Sequence, residues 1–349
     1  MLLPKTNYSA LPTSTALVTV IISLAMAASA SAEPPALPQA NSESVKPLAR
    51  IGKDSTGFAV NCFALANQGI VAVGSEDGKI RLWSLAESRV VRSLNATKGG
   101  YIGSIAFSPD GKWLAFHADD QPVRIWDLES EAELARSHEE FSFVDHIRFS
   151  PNGSLVGLAN DESTAFVWNP ASGKMKKLDQ PATAFAFSPD GKTLALGLNT
   201  LQLVEVASGR RIQEFGKLDG RASSIAFSPT GTHILAVDSG CPGTTVRLVE
   251  IASGSETVFG EKIRSERVGA AFSAEGALVA INDGSSEAAF WDPETGRRLI
   301  TLPEFHRDAN SLVFTPDNQR LLSGRSGMYG SDVLVWNVDE ILQAAAKKP

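Results

Sequence analysis

The sequence predicts an all-β chain: a seven-bladed β-propeller of four-stranded antiparallel blades, its ring closed by an N-terminal strand. Three observations carry this. A unit of strand, tight turn and strand recurs seven times at a near-constant interval. Each copy continues into a further strand with an aromatic or branched side chain at one fixed place. The last copy runs out one strand short, while an extended stretch with no partner of its own precedes the first.

The clearest copy is Ile105 to Leu128, IAFSPDGKWLAFHADDQPVRIWDL. Ile105, Phe107, Leu114, Phe116, Val123, Ile125 and Leu128 are apolar at strand spacing, and Ser108-Pro109-Asp110-Gly111 supplies the turn. Proline presets φ and glycine permits the positive φ that a tight turn requires. Three such strands bury little alone and need neighbours of the same kind.

Aligned on the aromatic residue of the first strand, the copies fall at Phe63, Phe107, Phe149, Phe187, Phe227, Phe272 and Phe314, with spacings of 44, 42, 38, 40, 45 and 42. A four-stranded propeller blade takes about 40–45 residues. Ser-Pro-Asp-Gly recurs at 188 to 191, with Ser-Pro-Asn-Gly at 150 to 153 and Ser-Pro-Thr-Gly at 228 to 231; Ser273 to Gly276 and Thr315 to Asn318 are degraded forms, and the first copy is the most divergent. The third strands align too, with Trp at 83, 126, 168, 291 and 336, and Val204 and Val249 in the remaining two. Fourth strands follow in most copies, as at Arg89 to Leu94 and Arg297 to Leu302. The last copy runs out after its third strand at Val338, and Leu342 to Pro349 is a short Ala/Lys tail. Pro47 to Ile51 is therefore expected to supply the missing outer strand to the blade built from 310 to 340, removing the open edges that invite aggregation.

Phe-Ser-Pro-Asp-Gly-Lys followed by Arg-Ile-Trp-Asp-Leu (107 to 112 and 124 to 128) resembles the WD40-type (Trp-Asp) repeat family of β-propellers, over residues 46 to 340. The resemblance implies partners docking on the loop face around the central channel. This chain departs from the family in lacking the Gly-His pair before most first strands; only His138 and His306 lie near that place. The family's His, Ser/Thr, Asp and Trp hydrogen-bonded network is accordingly expected to be incomplete in most blades, which then rest on apolar stacking.

Residues 1 to 32 read as a secretory signal peptide: Lys5 is the sole charge, Ala16 to Ala28 is apolar, and Ala30-Ser31-Ala32 is a small-x-small cleavage signal. An uncleaved anchor is the alternative, against which the apolar run falls short of the ~20 residues a span needs. Residues 33 to 45 form a Pro/Ala/Ser-rich linker, 46 to 342 the propeller and 343 to 349 a C-terminal tail. The localisation expected is periplasmic or extracellular, with no membrane span after cleavage. A formal charge of −7 without a basic block argues against a nucleic-acid partner. Cys62 and Cys241, the only cysteines, fall on opposite sides of the ring and are expected as free thiols.

No phosphate loop, dinucleotide fingerprint, zinc-binding helix or nucleophile elbow is present, so neither a catalytic residue, a metal nor a cofactor is assigned. His117 and His233 fall in second strands. His138 and His146 are placed in a polar loop entering the third blade, and His306-Arg307-Asp308 before the last. Asp77, Asp120, Asp161, Asp238, Asp283 and Asp332 are read as turn residues. Counting back four and six residues from the aligned Phe picks out a candidate partner-binding rim of Tyr101, Phe143, Asp145, Arg221, Asp308 and Asn310, residue types common in binding hot spots. Packing between blades is the competing role for Tyr101 and Phe143. The long stretches 238 to 245 and 323 to 332 are further recognition candidates. Together these point to an exported, non-catalytic scaffold for unidentified protein partners. The alternative is a propeller enzyme or small-ligand-binding protein with its site at the channel mouth.

Overall fold

A computed structural model describes residues 45–52, 60–97, 100–240, 243–260, 263–265, 268–283, 286–302, 305–306, 309–324 and 332–346. Blade 1 comprises Val60–Leu65, Ile70–Ser75, Lys79–Ser84 and Arg89–Asn95; blade 2 Ile102–Phe107, Trp113–Ala118, Gln121–Asp127 and Ala132–Phe141. Blade 3 comprises Val144–Phe149, Val156–Asn160, Ala165–Asn169 and Lys174–Lys177; blade 4 Ala184–Phe187, Thr193–Gly197, Thr200–Glu205 and Arg211–Lys217. Blade 5 comprises Arg221–Phe227, His233–Ser239, Thr244–Glu250 and Glu256–Val258; blade 6 Gly269–Phe272, Val279–Asn282, Ala288–Trp291 and Arg298–Leu302. Blade 7 takes Ser311–Phe314, Arg320–Gly324 and Asp332–Asn337 from the C-terminal end and Ala49–Gly52 from the N-terminal end.

That last pairing closes the ring. Ala49, Arg50, Ile51 and Gly52 lie antiparallel to Val335, Leu334, Val333 and Asp332. The Leu48 N–H donates to the Val335 carbonyl at 2.7 Å, and Arg50 meets Asp332 at 2.8 Å. Blades 7 and 1 are neighbours: Arg320 Nη1 donates to the Leu85 carbonyl at 3.0 Å, and a Cβ on Gly324 would fall 2.3 Å from Phe63 Cε1.

The core is divided among the blade interfaces. Ile51, Val60, Phe63, Trp83, Leu322 and Val335 pack between blades 7 and 1; Ile80, Leu82, Ile102 and Phe116 between 1 and 2; Ile125, Phe141, Ile147 and Trp168 between 2 and 3. The other interfaces are built alike. Burial therefore accrues only when sheets stack, which is why one unit does not stand alone.

The turns explain the recurring Ser-Pro-x-Gly. Ser108 Oγ accepts from the Trp113 N–H at 2.9 Å and donates to Asp110 Oδ1 at 2.6 Å. Ser150, Ser188, Ser228, Ser273 and Thr315 repeat the first of these bonds, the last two in the turns that look degraded. Asn318 takes the glycine place at φ +55°, a conformation asparagine tolerates.

Three sequence expectations need correction. In blade 1 the residue equivalent to Phe107 is Leu65, not Phe63: Leu65 pairs with Val71 as Phe107 pairs with Leu114, and the Ala66 N–H closes the turn onto Ile70 as Ser108 does onto Trp113. The first spacing is then 42 residues, from Leu65 to Phe107. Beyond Val338 the chain is an α-helix, Val338–Ala346, rather than a plain tail. Asn337 Oδ1 caps it through the Glu340 N–H, and Ile341 and Leu342 are buried against Phe305 and Trp336. Finally, His138 and His146 belong to strands, the outer one of blade 2 and the inner one of blade 3.

Three of the five third-strand tryptophans lack polar partners. The indole N–H groups of Trp126, Trp168 and Trp291 are buried and unbonded. Blade 7 is different: His306 Nδ1 lies 3.1 Å from Ser323 Oγ, its Nε2 lies 3.0 Å from Asp332 Oδ1, and Trp336 Nε1 donates to Ser323 Oγ at 2.8 Å. His306 thus sits in a buried structural network, not beside a nucleophile.

Candidate interaction face and central channel

The residues four and six places before the anchor of each inner strand stand where that strand begins. A β-bulge there, between Ile102 and Ser104 in blade 2 and between Val144 and His146 in blade 3, turns one extra residue out of the ladder. Asp145 is such a residue and is open to solvent.

Tyr101 and Phe143 meet with ring centroids 6.1 Å apart. They lie over Gly103, where a Cβ would stand 3.2 Å from Phe143 Cε2 and 3.5 Å from Tyr101 Cε1. The Tyr101 hydroxyl is buried without a hydrogen-bond partner, and burial pushes its pKa up. This pair packs between blades 2 and 3 and shows only its half-buried edges.

Asp145 and Arg221 form the charged part of the rim. Arg221, on blade 5, donates through Nη2 to Ser163 Oγ on blade 3 at 2.8 Å, reaching past blade 4. Partial desolvation where Asp145 stands among the strands at the channel mouth raises its carboxyl and Asp161 adds to this, while Arg221 pulls it down. Asn310 borders the channel from blade 7. Asp308, Cys241 and residues 325 to 331 of the second long stretch lie outside the described residues, so the rim is defined by the other five.

The aspartates read as turn residues do more than shape turns. Asp77 holds Arg81 at 2.7 Å, fully buried Asp238 holds Arg247 at 3.0 Å, and Asp332 holds His306 and Arg50. Cys62 is buried as a free thiol, its pKa pushed up to about 12 by burial.

Two concavities among the described residues bear on function. Beneath the rim, the channel holds a cavity of about 220 Å³ bordered by Ser104, Asp145, His146, Arg148, Ser224 and Asn310, among others. At the opposite end of blades 2 and 3 an apolar groove of about 770 Å³ runs between the turns at Pro109 and Pro151, with Trp113 and half-exposed Leu134 in its wall. Among the described residues no group of three or more His, Cys, Asp or Glu side chains is placed to hold a metal. No helix among them is long and apolar enough to cross a membrane.

Sequence reasoning missed Asn61 and Arg148. Anchoring blade 1 on Phe63 hid Asn61, which shares the bulge position of Gly103 and Asp145; its buried amide has no hydrogen-bond partner. Arg148 becomes conspicuous only when the residue just before each anchor is compared across all seven copies.

Residues 61–152 match the family model described as the anaphase-promoting complex subunit 4 WD40 domain. Apoptotic protease-activating factor 1 of Rattus norvegicus is 25% identical over 193 residues, 52% of this chain and 15% of that protein. Small ribosomal subunit protein RACK1z of Oryza sativa subsp. japonica is 31% identical over 127 residues, 34% of this chain and 37% of its own length. The periodic tryptophan protein 2 homolog of Mus musculus is 21% identical over 326 residues, 73% of this chain and 35% of its own. The matched segment thus spans little more than a third of each relative at most. The β-propeller domain of Cps50 (Swd1) from Myceliophteria thermophila shares the fold, with a TM-score of 0.69 at 17% identity, covering 84% of this chain and 99% of that one. Seven stacked four-stranded sheets, a ring closed across its termini and these matches agree: together they support a β-propeller of the WD40-type (Trp-Asp) repeat family.

Proposed function

We propose that the protein is an exported, non-catalytic interaction platform whose rim, around Asp145 and Arg221, docks a protein partner. The observation that carries the reading is the reach of Arg221 from blade 5 to Ser163 on blade 3. It gathers a guanidinium, two carboxylates and an aromatic edge at one mouth on a rigid ring. Arginine and aromatic side chains dominate binding hot spots, and loops on a rigid scaffold lose little entropy on docking. Export rests on residues 1 to 32, and the non-catalytic part of the reading on the sequence, which carries none of the catalytic motifs sought, and on the described residues, among which no nucleophile and base are assembled.

The test is capture of partners from the cell envelope on the wild-type protein and on Arg221→Ala and Asp145→Asn, followed by affinity measurement with the partner identified. The expected result is at least a ~10-fold loss of affinity in Arg221→Ala, and recovered protein whose N-terminal residue is Glu33. Equal affinity in all three proteins rules out this rim as the docking site, and a retained Met1 rules out cleavage.

A further inference from the structure

We propose that the central channel is a binding site for a small oxyanion, held on the guanidinium of Arg148. The proposal is independent of the docking rim above it.

The first observation is one of register. At the residue just before the anchor, the other six inner strands carry Ala64, Ala106, Ala186, Ala226, Ala271 and Val313, whereas blade 3 carries Arg148. Five alanines and a valine define what packing around the axis requires there, and nothing in that requirement calls for a long cation.

The second is its surroundings. Arg148 lies on an inner strand facing the channel, borders the channel cavity and is exposed there. Its Nη1 donates to the neighbouring Ile147 carbonyl at 2.9 Å. Among the described residues no carboxylate lies within ion-pair distance of it, unlike Arg81, Arg124 and Arg247, which all have acidic partners. Asp145 borders the same cavity, but the charges that act on it are Asp161 and Arg221 at the mouth. The Arg148 side chain is open to the channel rather than sealed in the protein, so an ion entering the channel can reach the guanidinium, and the surrounding inner strands, by partly desolvating it, pull its pKa down.

The third is the wall. His146, two residues away on the same strand, borders the cavity, as do the hydroxyl residues Ser104, Ser224 and Ser311 and the amide of Asn310. Hydroxyl and amide donors beside a guanidinium fork suit the oxygens of phosphate, sulfate or a carboxylate, which take two parallel N–H donors. At about 220 Å³ the cavity is smaller than the ~300–1,000 Å³ typical of sites for drug-sized ligands, which restricts the occupant to a small ion.

The experiment compares thermal unfolding of the full chain in phosphate and in chloride at equal ionic strength. The expected result for the wild type is a saturable rise in Tm, on the order of 2–4 °C at about ten times the dissociation constant. Arg148→Ala is expected to lose that rise while melting no lower than the wild type in chloride, because alanine is what most other blades carry. Should Arg148→Ala fail to fold, the wild-type histidine ring resonances carry the test, with phosphate expected to perturb His146 and leave His233 in place. Equal phosphate shifts in wild type and Arg148→Ala, no shift in the wild type, or perturbation of His233 without His146 would each overturn the proposal. The readout is separate from partner affinity, so failure here leaves the rim reading standing, and the reverse holds.

Discussion

Trp168 and Trp336 occupy the same place in their blades and are both fully buried, yet they stabilise the ring in different ways. Trp336 donates to Ser323, which also meets His306, whose far nitrogen meets Asp332; the ring of Phe305 stacks on Trp336 at 4.5 Å. Trp168 has only its packing, since its N–H is unbonded. Replacing Ser323 by alanine leaves the buried Trp336 indole N–H unpaired, while His306 Nδ1 keeps the Ser323 carbonyl at 3.0 Å, and is expected to cost about 1–3 kcal/mol. Trp168→Phe removes volume but no hydrogen bond; the ring-sized cavity dominates there, and restoring polarity nearby gains nothing. Denaturant unfolding of Ser323→Ala and of the double variant Ser323→Ala/Trp336→Phe checks the network. Loss of the indole donor is expected to be less costly once Ser323 has gone than in the wild type. Additive losses would show that the two groups act independently.

At the scale of elements, the closing strand is the decisive one. Ile51 is 2% exposed at the junction of blades 7 and 1, and its strand satisfies the outer edge of Asp332–Asn337. Deleting residues 45 to 52 uncovers that edge and opens the junction core, with an expected fall in Tm on the order of 5–10 °C and increased self-association from the free edge. An unchanged melting temperature in calorimetry would mean that another segment closes the ring. The terminal helix belongs to the same scale. Its apolar positions Val338, Ile341 and Leu342 cover the core between blades 6 and 7, and so help seal the blade that the chain's two ends share.

The whole ring sets the environment of groups that face its axis or its interfaces, and this appears in its response to acid. His146 is held at about 4 by burial and by the nearby Arg148, with the Ser223 backbone acting weakly against them. An unhindered histidine titrates near ~6.5, so the unfolded chain takes up a proton that the native ring refuses. The stability this represents is complete above about pH 6.5 and drains away as pH falls toward 4; buried His117, also lowered by burial, acts in the same direction. Between pH 7 and pH 5 the wild type is expected to lose more stability than His146→Gln, measured by denaturant midpoints; parallel losses would mean that His146 titrates normally. How much of this was legible follows the range of the forces involved. Repeat number, turn chemistry and the need for a closing strand could be read from the chain because they depend on local spacing, backbone conformation and the edge left by a missing strand. The register of blade 1 could not, because Phe63 mimics the anchor, and only pairing of Leu65 with Val71 exposes the shift. Nor could the meeting of Arg221 with Ser163, the inward turn of the Tyr101 hydroxyl, or the isolation of Arg148. Those are contacts between residues brought together by closure of the ring, and their electrostatics come from the enclosure itself, which no stretch of sequence possesses before the blades have stacked.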